Sequence, residues 1–71
     1  MLKAGMRVLF QRPRRKEVEV EIHGPDDRGF WVGLQITNGQ LDSSHLRTFK
    51  PEHVTAIITK DGPRYFFREI L

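Results

Sequence analysis

The chain has 71 residues, of which 38% are hydrophobic and none is cysteine. That length supplies one domain, residues 1–71, and the absence of cysteine excludes disulfides and thiolate metal sites. No stretch approaches the roughly 20 apolar residues of a membrane helix. The first residues lack the apolar core of a signal peptide, so we expect a cytoplasmic protein.

The net charge of +3 is unevenly distributed along the chain. Residues 1–16 carry six basic side chains and no acid, whereas residues 17–27 carry five acids and no base. Segregation of this kind predicts separate faces or loops of opposite potential.

The first half of the chain predicts three strands. Apolar and polar residues alternate over residues 7–11 and 17–22, and a third strand is predicted over residues 29–36. In that third strand Phe30, Val32, Leu34 and Ile36 share one face, and Trp31, Gly33 and Gln35 share the other. Residues 12–16 are predicted to form a loop, because Pro13 and four charges cannot lie in a buried ladder.

The second half predicts hairpins and a proline break. Asn38-Gly39 and Asp61-Gly62 are turn signals, and strands are predicted over residues 45–49, 53–59 and 64–70. Pro51 cannot donate to a ladder, so the segment 50–52 must interrupt pairing. We predict an all-β fold, a small closed SH3-like β-barrel of five to six short antiparallel strands. The alternative is an open sheet that completes itself by dimerising.

Residues 29–58 resemble the C-terminal part of WYL domains. The segment 30–34 (Phe-Trp-Val-Gly-Leu) resembles the aromatic strand of that family, and Arg47-Thr48-Phe49 matches its Arg-x-Phe element. His53 stands where the family commonly has arginine. The resemblance implies an SH3/Sm-like barrel of the kind found in bacterial transcriptional regulators. It also implies binding of nucleic acid or a nucleotide-like effector, with Trp31 and Arg47 in that role.

The basic loop is the best candidate for contact with an anion. Arg12, Arg14, Arg15 and Lys16 lie within five residues, and an arginine fork matches phosphate bidentately. The alternative is a solvated loop that keeps the protein soluble, with the acids of residues 17–21 partly cancelling its field.

Trp31, Arg47 and Lys50 complete the predicted binding set. An exposed Trp31 would offer a stacking platform for a base, whereas strong curvature of the sheet would make it a core residue. Gly33 leaves a gap beside the indole that would admit a ligand or allow a bulge. Arg47 would anchor phosphate, or pair across strands with a glutamate.

Catalysis finds little support in the sequence. The three histidines are far apart, and no carboxylate lies at metal-ligand spacing from them. Ser44 and His45 are adjacent, but strand neighbours point apart and no orienting acid is implied. We therefore expect no enzyme, no cofactor and no metal.

Two functions follow. The first is a nucleic-acid or nucleotide-binding module (DNA or RNA) serving transcription or RNA handling. The second is a protein-interaction module that docks a peptide or a second copy through an edge strand or an apolar patch around Trp31, Tyr65 and Phe67.

Overall fold

The computed structural model describes residues 2–65, which form one six-stranded antiparallel sheet. The strands are β1 (Arg7–Phe10), β2 (Val18–Pro25), β3 (Trp31–Thr37), β4 (Gln40–Phe49), β5 (Val54–Thr59) and β6 (Gly62–Tyr65), with a 3-10 helix at Pro51–His53. The all-β prediction with six antiparallel strands is confirmed. Most of the predicted last strand, from residue 66 onward, lies outside the described residues. Within them no helix is long and apolar enough to cross a membrane.

Both predicted hairpin turns are present. Asn38 and Gly39 connect β3 to β4 with φ of 53° and 79°, and positive φ at both central residues is the requirement of a type I′ turn. Thr59 lies opposite Gly62 at the end of the β5–β6 pair, which leaves a two-residue loop.

The proline break curls the sheet. The order of strands is β4-β3-β2-β1-β5-β6, so in a flat sheet four strand spacings, about 19 Å, would separate β4 from β5. Only four residues, 50–53, join these strands, and three of them form the 3-10 helix, which rises only about 6 Å. The sheet must therefore coil until β4 approaches β5.

The coiled sheet is not closed. β4 and β6 are its edges, and no ladder joins them among the residues that the structure describes. The expectation of a closed barrel is therefore wrong, and the fold is barrel-like at most. The end of β4 meets β1 through side chains instead: the Phe10 and Phe49 rings stack with centroids 4.7 Å apart and planes 10° from parallel.

The core lies on the concave face of the sheet. It is a cluster of six buried side chains: Val8, Phe10, Val20, Ile22, Phe49 and Val54. The alternating residues of β1 and β2 supply four of them, as the period-2 pattern predicts. Phe49 and Val54 flank the 3-10 helix, so the proline break brings both into the core.

The faces of β3 follow from its register. Trp31 pairs with the buried Phe49, and directly opposite residues share a face. Trp31 is half-buried and packs against the core cluster. Val32 and Leu34 thus lie half-buried on the outer face, and Ile36, on that same face, is 6% exposed.

β4 is longer than predicted and contains a bulge. It spans ten residues instead of the five expected at 45–49. Leu34 pairs with Leu46, but the next residue, Gln35, pairs with Asp42. Residues 43–45 therefore have no partner in β3.

Candidate anion-binding site

The β1–β2 loop is an ordered turn. Pro13 and Arg14 are its central residues, and the Arg15 N–H donates to the Arg12 carbonyl at 3.1 Å. Arg14 has a φ of 63°, as the third position of a type II turn after proline requires. The Gln11 side-chain amide donates to the Arg15 carbonyl at 2.9 Å. The loop therefore presents its basic side chains from a braced backbone.

Arg12 connects this loop to the far edge of the sheet. Its Nη2 donates to the Thr48 carbonyl on β4 at 2.6 Å. Its guanidinium carbon lies 5.8 Å from the centroid of the Phe10 ring, within range of a cation–π contact. Arg12 thus bridges β1 and β4 where no ladder does.

Four cationic side chains, Arg12 among them, surround one opening. This cationic cavity, of about 290 Å³, is lined by Phe10, Arg12, Arg15, Lys16, Val18 and Arg47. Its charges come from the β1–β2 loop and from β4, and no acid of residues 2–65 lines it. None of the four cations forms an ion pair with a carboxylate of residues 2–65. The sequence placed three of these cations together, and the coiling of the sheet adds Arg47.

Arg47 reaches the cavity because it lies on the concave face. It pairs with Gly33 across the β3–β4 ladder, and its Nε donates to the side-chain oxygen of Gln35 at 2.8 Å. The predicted pair with a glutamate is therefore wrong. A neutral amide orients the guanidinium and leaves its charge uncompensated.

The neighbouring acids are directed elsewhere. Glu17 accepts a hydrogen bond from the Thr55 hydroxyl at 2.8 Å, and Glu21 lies 3.4 Å from the Arg7 Nε. Glu19 and Glu21 alternate with the core residue Val20, so they lie on the outer face. The segregation of charge along the sequence thus becomes a segregation between faces, and the expected cancellation of the loop's field is reduced.

A second cavity adjoins the first across Arg12. This aromatic cavity, of about 230 Å³, is lined by Arg12, Phe30, Thr48, Phe49, Lys50 and His53. The Lys50 Nζ lies 5.9 Å from the centroid of the Phe30 ring. The Phe10–Phe49 stack and Arg12 form the wall between the two cavities.

Of the seven predicted site residues, Arg12, Arg15, Lys16 and Arg47 share the cationic cavity, and Lys50 lines the adjoining one. Arg14 lines a shallower depression on the other side of the loop, together with Glu52.

Trp31 lines neither the cationic nor the aromatic cavity. The gap expected beside it is filled, since a Cβ on Gly33 would lie 2.8 Å from the Glu21 carbonyl oxygen. Tyr65 pairs with Ala56, which pairs with Leu9, a residue of the outer face. Trp31 and Tyr65 therefore lie on opposite faces, and the third member of the predicted patch, Phe67, lies outside the described residues.

Sequence reasoning missed Phe30, Gln35 and His53 as neighbours of the basic residues. Phe30 was assigned to an apolar face, and nothing in the local pattern indicates that it borders a cavity. The proline break could have predicted the position of His53, because a tight turn after β4 places residue 53 beside the end of that strand.

The bulge of β4 forms a separate polar cluster. Asp42 accepts hydrogen bonds from the Ser44 hydroxyl at 2.7 Å and from the Ser44 N–H at 3.1 Å. Its other oxygen lies 2.8 Å from His45 Nδ1, and the Ser44 hydroxyl lies 3.3 Å from the same nitrogen. The expectation that no acid orients His45 is therefore wrong. In a relay the hydroxyl and the carboxylate face different nitrogens of the imidazole; here both face one, so the contacts brace the bulge.

No protein-family model, curated protein or solved structure matches this chain. The resemblance to WYL domains stays a prediction.

Proposed function

We propose that this chain is a nucleic-acid-binding module that holds backbone phosphates in the cationic cavity. The observation that carries the proposal is the convergence of Arg12, Arg15, Lys16 and Arg47 on one opening that no acid of the described residues lines. Like charges held together repel one another, and a bound anion removes that cost. Arginine forks also match the geometry of phosphate oxygens.

Two features favour a polyanion over a small isolated anion. The cationic cavity is open to solvent, with Arg12, Arg15 and Lys16 exposed. Lys50 extends the positive surface beyond Arg12 into the aromatic cavity. A chain of phosphates can contact several of these groups at once and release counterions from each contact.

The test is fluorescence anisotropy with labelled 12-nucleotide oligonucleotides, single-stranded and duplex, at 50 and 200 mM salt. We expect Arg15→Gln to weaken binding about tenfold, the equivalent of about 1.4 kcal/mol for one charge-assisted contact. Arg14→Gln is the matched control, because it removes the same charge from the same turn but does not line the cavity. It should change the Kd by less than about threefold.

Equal losses in the two variants would mean that net charge alone drives binding and would refute a defined site. Binding that is insensitive to salt would favour the protein-interaction module instead.

A further inference from the structure

We propose that the aromatic cavity receives an unpaired nucleobase while the adjoining cationic cavity holds its phosphate, so that the ligand is a single strand. This inference rests on the proposed function and specifies the form of nucleic acid. It concerns a different set of side chains, those around Phe30, and can fail while phosphate binding stands.

The lining of the aromatic cavity suits a flat aromatic guest. Phe30 supplies a half-buried ring, the buried Phe49 forms part of the wall, and Arg12, Lys50 and His53 supply polar groups around them. Its volume of about 230 Å³ lies below the 300 Å³ or more of typical pockets for drug-sized ligands, so it fits one ring system. Bases stack on aromatic side chains, and arginine adds a cation–π contribution.

Phe30 is held in place before any ligand arrives. Its N–H donates to the Asp26 carboxylate at 3.0 Å, and its carbonyl accepts from the Asp26 N–H at 2.8 Å. Its ring is half-buried and has Arg28 at 5.1 Å and Lys50 at 5.9 Å. Because its backbone is braced, Phe30 loses little conformational entropy when a base stacks on its ring in place of one of these mobile cations.

The position of Arg12 links base and phosphate. Its guanidinium lines both cavities and is tied to the Thr48 carbonyl at 2.6 Å. A nucleotide seated across Arg12 would place its charged part toward Arg15 and its base toward Phe30. Paired bases are stacked inside a duplex and cannot enter such a cavity without being flipped out, so a duplex would use the cationic cavity alone.

The experiment compares three single-stranded ligands of equal length and charge: a DNA 12-mer, an RNA 12-mer, and a DNA 12-mer that is abasic at every position. We expect the intact strands to bind about tenfold more tightly than the abasic strand, the effect of one stacked base. Comparison of the DNA and RNA arms shows whether the sugar contributes. Equal affinity for intact and abasic strands would overturn the inference and leave phosphate binding standing.

Phe30→Leu keeps an apolar side chain and removes the ring, so it should abolish the preference for the intact strand without changing affinity for the abasic one. Tyr65→Leu is the control, because it removes an exposed ring on the outer face and should keep the preference. A preference retained in Phe30→Leu would refute the assignment of the base to this cavity.

A single 2-aminopurine base in an otherwise abasic 12-mer gives a readout that needs no variant. Its fluorescence should be quenched on binding to the wild-type protein as the base stacks. Unchanged fluorescence at saturation would contradict the inference. If wild-type binding did not depend on salt, or if Arg15→Gln bound as tightly as wild type, the proposed phosphate site would be refuted instead.

Discussion

Gly33 lies directly opposite Arg47 in the β3–β4 ladder, and this pair connects the fold to the candidate site. Gly33 is buried where β2 approaches closely, with the Glu21 carbonyl oxygen and the Val20 side chain beside it. Arg47 shares its face and turns its guanidinium to Gln35 at the opening of the cationic cavity. β4, which carries Arg47, is therefore paired with β3 at Gly33, where a side chain would be too close to β2.

Gly33→Ala should destabilise the protein by about 2 kcal/mol, because overpacking a rigid interior forces the backbone to move. The added Cβ would lie 2.8 Å from the Glu21 carbonyl oxygen and 3.1 Å from the Val20 Cβ. Urea unfolding followed by circular dichroism measures the change. Ser43→Ala, at an exposed position in the bulge of β4, is the control and should stay within about 0.5 kcal/mol of wild type. If Gly33→Ala changed the free energy of unfolding no more than Ser43→Ala, the backbone of β2 could shift away from β3 at little cost.

Phe49→Ala should destabilise the protein by about 3–5 kcal/mol, the usual cost of truncating a buried phenylalanine. Phe49 is 2% exposed and stacks on Phe10, so its loss removes the contact that joins the end of β4 to β1. A small domain has little more stability than that to lose. We therefore expect a large unfolded fraction at 37 °C by near-UV circular dichroism.

Leu46→Ala is the matched control for Phe49→Ala. It lies three residues earlier on β4 and is 61% exposed, so its truncation should change stability by less than about 0.5 kcal/mol. A comparable loss in the two variants would mean that the Leu46 side chain is covered in solution by a second molecule.

Stability should fall in acid partly because of Asp26. Desolvation of its carboxyl acts to raise the pKa, but hydrogen bonds from the backbone N–H groups of Arg28 and Phe30, and the Arg28 guanidinium, outweigh this and hold the pKa below 3.8. A group with a depressed folded-state pKa stabilises the fold above its unfolded value and loses that contribution as pH falls through the folded one. The melting temperature should therefore decline below about pH 4.

Asp26→Asn should melt at a lower temperature than wild type at pH 7 and show a shallower decline below about pH 4. Asp27→Asn removes the same charge one residue away, at an exposed position, and should keep the wild-type profile. Some acid dependence should remain in Asp26→Asn, because hydrogen bonds from the Ser44 hydroxyl and N–H, together with His45, also lower the pKa of Asp42 despite some desolvation. Identical profiles for Asp26→Asn and wild type would contradict the role given to Asp26.

Local pattern was enough to predict the presence of the strands, the turns and the loop cations, because alternation, Asn-Gly and proline act within a few residues, but it missed the first half of β4. It was not enough to decide which face of β3 is buried. In the more regular apolar set Ile36 is buried, but Val32 and Leu34 are only half-buried on the outer face, since the register with β2 and β4 assigns Trp31 to the core face. Pairing register depends on partners far along the chain.

In the candidate site, too, local pattern predicts some features and long-range contacts determine the others. The loop cations were evident as a cluster, but the approach of Arg47 and the position of Phe30 depend on how tightly the sheet coils. That coiling follows from the short connection between β4 and β5, and the connection alone does not distinguish a coiled open sheet from a closed barrel. Only the side-chain contacts of Arg12 and Phe10 across the gap define where the cavities lie.

The salt dependence of binding should report how many cations take part. For a single strand the slope of log K against log salt falls by about 0.7 for each phosphate neutralised. If the four cations of the cationic cavity each contact phosphate, the wild-type slope should be about −2.8 or steeper. Arg47→Gln should make it shallower by about 0.7, since Arg47 has no carboxylate partner among residues 2–65. Arg7→Gln is the control, because Arg7 faces Glu21 on the outer side, and it should leave the slope unchanged. If the slope became shallower in Arg7→Gln than in Arg47→Gln, the binding surface would lie on the outer face instead of at the cationic cavity.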